Sequence, residues 1–203
     1  MALVVFTGGA RSGKSAAAQR LAQRRAVDGQ RVVVAVFGRE EGDPEFAERV
    51  MRHRADRPAE FATLEVSDSR AWLAEVDREA LLVVDCLGTL LGRVLEEEWG
   101  SMGSGFLGEA PEEGLPSGFE AAVAQRGAAM VEAIAERCGD TIIVTNEVGD
   151  GVIPAFATGR VFRDVLGRCN RRLVEAADVS YLVVAGRLLP LDGLRTDAQW
   201  PED

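Results

Sequence analysis

Five short runs along the chain are almost wholly apolar and rich in β-branched residues: residues 3–6, 32–37, 81–84, 141–144 and 179–185. Their length suits strands, and the lack of polar alternation predicts strands buried on both faces. Between them the apolar positions recur at helical spacing. Residues 15–27 are alanine-rich and amphipathic, residues 43–56 open on the Asp43-Pro44 start signal, and residues 121–137 and 160–176 carry a 3.6-residue period. Strands alternating with helices predict an α/β fold, a mostly parallel sheet flanked by helices on both faces.

Residues 96–120 break this rhythm. They hold six glycines, two prolines and seven carboxylates without a lysine or arginine, and we read them as an acidic, glycine-rich insertion, either a lid or a plain surface excursion. Residues 192–203 form a polar tail expected to be loosely held. The expected organisation is therefore a single domain over residues 1–191, with the insertion inside it and the tail after it.

Composition narrows the functional classes. The net charge of −10 argues against a nucleic-acid partner, and much of that acidity is concentrated in the insertion. Cys86, Cys138 and Cys169 are odd in number and widely spaced, so neither a disulfide framework nor a zinc site is expected. No run is long enough for a membrane span, and the first strand passes straight into a glycine loop, which together predict a cytoplasmic protein. Of 23 basic residues only Lys14 is a lysine, and His53 is the single histidine.

Lys14 lies in the strongest motif. Gly8-Gly9-Ala10-Arg11-Ser12-Gly13-Lys14-Ser15 matches G-x-x-x-x-G-K-[ST] in full, between a predicted strand and a predicted helix. Such a loop turns backbone N–H groups onto phosphates, aided by the positive end of the following helix. Lys14 is expected at the β- and γ-phosphates of GTP or ATP, and the Ser15 hydroxyl at Mg²⁺. A lysine kept here in a chain that otherwise uses arginine fits a site that takes a compact ammonium rather than a planar fork. The fold class expected is accordingly P-loop NTPase-like.

Asp85 closes the apolar run 81–84 at the edge where ligands bind in open α/β sheets, as a partner for the metal or as a cap for the next helix. Asn146-Glu147-Val148-Gly149 follows the fourth run, either orienting substrate or metal or making an ordinary turn. Arg160, Arg163, Gly167 and Asn170 share one helical stripe, for which a solvated face is the alternative.

On the helix over 43–56, Phe46, Val50, His53 and Arg57 share a face, placing His53 near its end beside an arginine cluster. Spacing alone leaves that histidine structural or catalytic. The ordered blocks are more specific: G-G-A-R-S-G-K-S from Gly8, E-F-x-x-R-V-x-x-H-R-x-x-R-P from Glu45, T-x-E from Thr63, V-D-C-L from Val84, T-N-E-V-G-x-G from Thr145, R-x-F-R-D-x-x-G-x-x-N from Arg160 and A-A-D from Ala176. Together they resemble the bifunctional adenosylcobinamide kinase/adenosylcobinamide-phosphate guanylyltransferase family of cobalamin biosynthesis.

The resemblance implies that His53 is the guanylylated histidine. It places nucleotide contacts on residues 8–15, on Phe37, Gly38 and Arg39, on Arg54, Ala55, Asp56 and Arg57, and on Glu65 and Asp85. It also implies a corrinoid substrate and a homotrimer. Three departures stand out: Ala35-Val36-Phe37-Gly38-Arg39 differs from the family's usual Tyr-Ile-Ala-Thr-Ala, Arg171 replaces a glutamine after Asn170, and Gly88 interrupts the run after Asp-Cys-Leu. The rival readings are a monofunctional small-molecule P-loop kinase and a regulatory GTP switch. The latter is weakened because a chain with one lysine, in the phosphate loop, has no N-K-x-D guanine motif.

Overall fold

The computed structural model describes residues 1–37, 58–102 and 114–197. The expected helix over 43–56, with His53, lies outside the described residues, as do Gly38, Arg39, Arg54, Ala55, Asp56 and Arg57. Among the described residues seven strands form one sheet: β1 (Leu3–Thr7), β2 (Val32–Val36), β3 (Ala62–Glu65), β4 (Leu81–Asp85), β5 (Thr141–Val144), β6 (Val179–Val184) and β7 (Arg187–Pro190). Their order is β3-β2-β4-β5-β1-β6-β7. Every neighbouring pair is parallel except β6 with β7.

Burial on both faces explains the continuous apolar runs. Val33, Ala35, Leu82, Val84 and Ile143 point into one core, and Val32, Val34, Leu81, Val83 and Ile142 into the other. The first core is covered by α2 (Leu87–Ser101), α3 (Phe119–Ala135) and α4 (Ala157–Ala176), the second by α1 (Lys14–Val27) through Ala17, Ala18 and Ala22. Alanine on α1 lets that helix lie close to the strands. The mostly parallel sheet with helices on both faces is thus the architecture the sequence predicts.

The helix α2 was not expected, and it changes the reading of the acidic segment. Leu87, Leu90, Leu91, Val94, Leu95 and Trp99 form a buried stripe, so Glu96, Glu97 and Glu98 belong to a packed helix rather than to an excursion. Glu97 accepts hydrogen bonds from the backbone N–H and hydroxyl of Ser69 at 2.9 and 2.6 Å, and Arg126 on α3 bridges Glu97 and Glu98. Phe119 at the far end of the segment is buried edge-on against Trp99. At the start of the tail, Asp192 accepts the backbone N–H and hydroxyl of Ser180 at 3.0 and 3.1 Å, which fastens that residue to β6.

Candidate functional site

All six parallel strands end on the same edge of the sheet, and the phosphate loop leaves that edge from the middle of the sheet. Residues 8–13 connect β1 to α1, whose first residue is Lys14. Gly8 and Gly13 have φ of 150° and 99°. A side chain on Gly8 would run into the Val183 carbonyl of β6, and one on Gly13 would meet Gly186 Cα at 3.3 Å. The loop is therefore glycine-bound twice over, by backbone conformation and by the strand beside it. Arg11, at φ 57°, sits in the left-handed region that costs an L-residue about 1–2 kcal/mol, a strain that the surrounding contacts maintain.

Those contacts come from both sides. Gly186 N–H donates to the Ser12 carbonyl at 2.8 Å, and Glu147 N–H donates to the Gly8 carbonyl at 2.9 Å. The Lys14 ammonium, 6% exposed, donates to the Gly9 carbonyl at 2.8 Å. Burial lowers its pKa from the ordinary lysine value, against the opposing pull of Cys86 and Asp85. The Ser15 hydroxyl donates to Asp85 Oδ1 at 3.2 Å. The helix cap after β4 is taken by Cys86, whose turn is held by Thr89, so Asp85 is left to face Ser15.

Two hydroxyls at this edge, Thr7 Oγ1 and Ser12 Oγ, are buried with no hydrogen-bond partner among the described residues. Buried polar atoms are normally satisfied, and orphaned ones beside a phosphate loop fit a bound anion. The pairing of a hydroxyl with a carboxylate is likewise a donor set of hard oxygens suited to Mg²⁺. Among the described residues there is no group of three or more His, Cys, Asp or Glu side chains able to hold a metal.

The other predicted positions divide. Glu65 ends β3, an edge strand two strands away from β4, about 10 Å at the usual strand spacing. Phe37 is buried with its ring edge-on to Trp72 at 5.1 Å, a packing role for its side chain. Asn170 is buried and ties down the strand end: it accepts from Thr145 Oγ1 at 2.6 Å and donates to the Asn146 carbonyl at 2.9 Å. Its stripe partner Arg160 donates to the carbonyls of Pro154 and Ala155, whereas Gly167 is exposed.

Sequence reasoning missed Arg93. This α2 side chain is 5% exposed, donates to the Phe37 carbonyl at 3.3 Å and leaves its Nε without a partner among the described residues. A charged residue on the buried stripe of an amphipathic helix was the available signal.

The family model described as cobinamide kinase / cobinamide phosphate guanyltransferase matches residues 4–191. The bifunctional adenosylcobalamin biosynthesis protein CobU of Salmonella typhimurium is 32% identical over 91% of this chain and 96% of its own, and CobU of Escherichia coli is 30% identical over the same shares. CobP of Pseudomonas aeruginosa, under the same bifunctional description, is 33% identical over 93% of this chain and 96% of its own. No described helix is long and apolar enough to cross a membrane. A phosphate loop set as the sequence predicts, in a chain matched from β1 to the end of the sheet, leads to one assignment: the chain belongs to the cobinamide kinase / cobinamide phosphate guanyltransferase family.

Proposed function

We propose that this enzyme phosphorylates the aminopropanol hydroxyl of adenosylcobinamide and then transfers GMP from GTP, through His53, to the resulting phosphate, giving adenosylcobinamide-GDP. The observation that carries the reading is the convergence of Lys14, Ser15 and Asp85 on one phosphate cradle within a chain matched to this family.

In the first reaction the cradle holds the triphosphate by backbone N–H groups and Lys14, so that charge developing on the transferred phosphoryl group meets a fixed positive partner. Mg²⁺, held by Ser15 and Asp85, supplies further neutralisation of phosphate charge when bound. In the second reaction a neutral imidazole nitrogen of His53 attacks the α-phosphorus of GTP. The N–P bond forms, the bond to pyrophosphate breaks, and the nucleotide is carried as a phosphoramidate. A phosphate oxygen of the corrinoid then displaces the imidazole, breaking N–P and forming the diphosphate. Gly38, Arg39, Arg54, Ala55, Asp56, Arg57 and Glu65 are proposed to complete the GTP contacts. The protein is proposed to work in the cytoplasm as a homotrimer.

The test uses α-labelled GTP and Mg²⁺ without corrinoid. Wild type should take a covalent, acid-labile label with release of pyrophosphate and discharge it onto adenosylcobinamide phosphate. His53→Ala should take none while still phosphorylating adenosylcobinamide. An adduct on the alanine variant would assign the carrier role to another residue, and a wild type that phosphorylates corrinoid but is never labelled would leave a monofunctional kinase.

A further inference from the structure

The kinase half-reaction must remove a proton from the acceptor hydroxyl, and the residues already described do not provide for it. Asp85 is engaged with Ser15 at 3.2 Å. Glu65 lies on β3, three strands from β5, about 14 Å at the usual spacing. Among the described residues, the segment after β5 brings a further carboxylate residue beside the phosphate loop, Glu147, whose N–H donates to the Gly8 carbonyl.

That strand lies directly between β1 and β4, the two strands that deliver the phosphate loop and Asp85. Beyond it the chain is tightly held. Thr145 N–H donates to the Phe6 carbonyl and Glu147 N–H to the Gly8 carbonyl, both at 2.9 Å, so the β1 partnership continues past the strand to the rim of the loop. Asn170 clamps the Asn146 carbonyl. The Glu147 carboxylate accepts Gly149 N–H through Oε1 at 2.7 Å, which fixes the side chain and leaves Oε2 without a partner among the described residues. Further along, Val152, Ile153 and Phe156 are 95%, 69% and 77% exposed, while Arg160 holds the carbonyls of Pro154 and Ala155. Three large apolar side chains on an anchored segment give a broad, largely apolar acceptor a surface to lie on next to the phosphates.

The geometry points to Glu147 as the catalytic base of the phosphoryl-transfer step, an inference that rests on the kinase reading above. The acceptor hydroxyl oxygen forms the new bond to the γ-phosphorus as the bond from that phosphorus to the bridging oxygen breaks and the nucleoside diphosphate leaves. The hydroxyl proton passes to Glu147 Oε2 and from there to water. GMP transfer onto a phosphate oxygen releases no such proton, so it has no need of this group.

The experiment compares wild type with Glu147→Gln and Asp150→Asn, measuring phosphorylation of adenosylcobinamide by ATP and covalent labelling by α-labelled GTP on the same preparations. General-base catalysis contributes about 10²–10⁴-fold. Glu147→Gln should therefore lower the kcat of phosphorylation by about a hundredfold or more, with the corrinoid KM and the GTP labelling within a few-fold of wild type. Asp150→Asn should phosphorylate at the wild-type rate. Phosphorylation by Glu147→Gln at wild-type kcat overturns the assignment, as does a parallel loss of labelling, which would mark a damaged nucleotide site, or an equal loss in Asp150→Asn, which would mark a general charge effect. If Glu147→Gln does not fold, Glu147→Asp and Glu147→Asn, equal in size, carry the test: only the aspartate should retain turnover, and equal rates overturn the assignment. A wild type that forms no phosphorylated corrinoid overturns the kinase reading and this inference with it.

Discussion

The two ends of the parallel sheet are built on opposite plans. At the amino edge three charged groups, Asp140, Asp178 and Arg137, are tied to the strands and their turns. Asp140 accepts Ala2 N–H at 2.9 Å, Arg25 at 2.7 Å and Gln30 at 3.2 Å. Asp178 accepts Leu3 N–H at 2.8 Å. Arg137, 8% exposed, donates to the carbonyls of Asp77, Ala80 and Asp140. At the carboxyl edge the chain instead keeps a buried ammonium, two buried hydroxyls with no partner among the described residues, and a non-glycine residue at positive φ. The amino edge spends its polar groups on holding strands together. The carboxyl edge keeps them around the phosphate loop, and the contrast marks which charges are structural without reference to any relative.

The contrast breaks if substitutions at the two edges have the same kind of effect. The largest effect is expected for Lys14→Ala: both phosphorylation of corrinoid and labelling by GTP should fall by about a thousandfold, since the proposed mechanism runs both through one cradle and a single fixed donor at such a site is worth about 10²–10³ in rate. Its folding free energy, from urea titration, should stay within about 1 kcal/mol of wild type, because burial already disfavours the charged form of Lys14. Asp85→Asn should cost about a hundredfold in turnover and shift the Mg²⁺ titration to higher concentration with little change in melting temperature, as the amide keeps the shape and loses the charge.

At the other edge the signs should reverse. Arg137→Met strands three backbone carbonyls, and at about 1 kcal/mol or more for each lost buried partner it should destabilise by about 3 kcal/mol in denaturant titration, with kcat per folded molecule unchanged. The smallest effect is expected for Asp140→Asn, about 1–2 kcal/mol at neutral pH. Burial alone would raise the Asp140 pKa, but Arg25, Gln30 and Ala2 N–H outweigh it and hold the carboxyl below its ordinary 3.8. A depressed carboxyl stabilises the fold above the unfolded-state pKa and loses that contribution as pH falls through the folded one. The stability gap between wild type and Asp140→Asn should thus be full at neutral pH and shrink below about pH 3.8; a gap independent of pH would show that the carboxylate is not what Arg25 holds.

Sequence alone was informative where structure is local or where burial is complete. The five apolar runs fall on β1, β2, β4, β5 and β6 to within a residue at their ends, because strands covered on both faces need no alternation. The edge strands left no such trace. Ala62–Glu65 alternates between half-buried and exposed positions, and Arg187–Pro190 is exposed throughout, so each is defined by its neighbour rather than by its own side chains. The helix α2 was hidden by Gly88 and Gly92 and by the glutamates at its end, although its apolar stripe was legible. In the site, Gly8 to Ser15 form one contiguous motif. Gly186, Asn170 and Arg93 act on it or on its neighbours from distant positions, and no spacing rule connects them.

The brace across the phosphate loop has a consequence for how the molecule is made. The strand that carries the loop pairs with β5 and β6, and its anchoring acceptors Asp140 and Asp178 stand 138 and 175 positions further along the chain than the N–H groups they hold. Gly186, which steadies Ser12, comes later still. The phosphate cradle therefore leaves the ribosome well over a hundred residues before the segments that wall it on either side. Contacts so distant in sequence are slow to form. A nascent chain stalled before β6 should hold a complete nucleotide signature and no nucleotide, so triphosphate can reward folding only once the last parallel strand and its hairpin are in place.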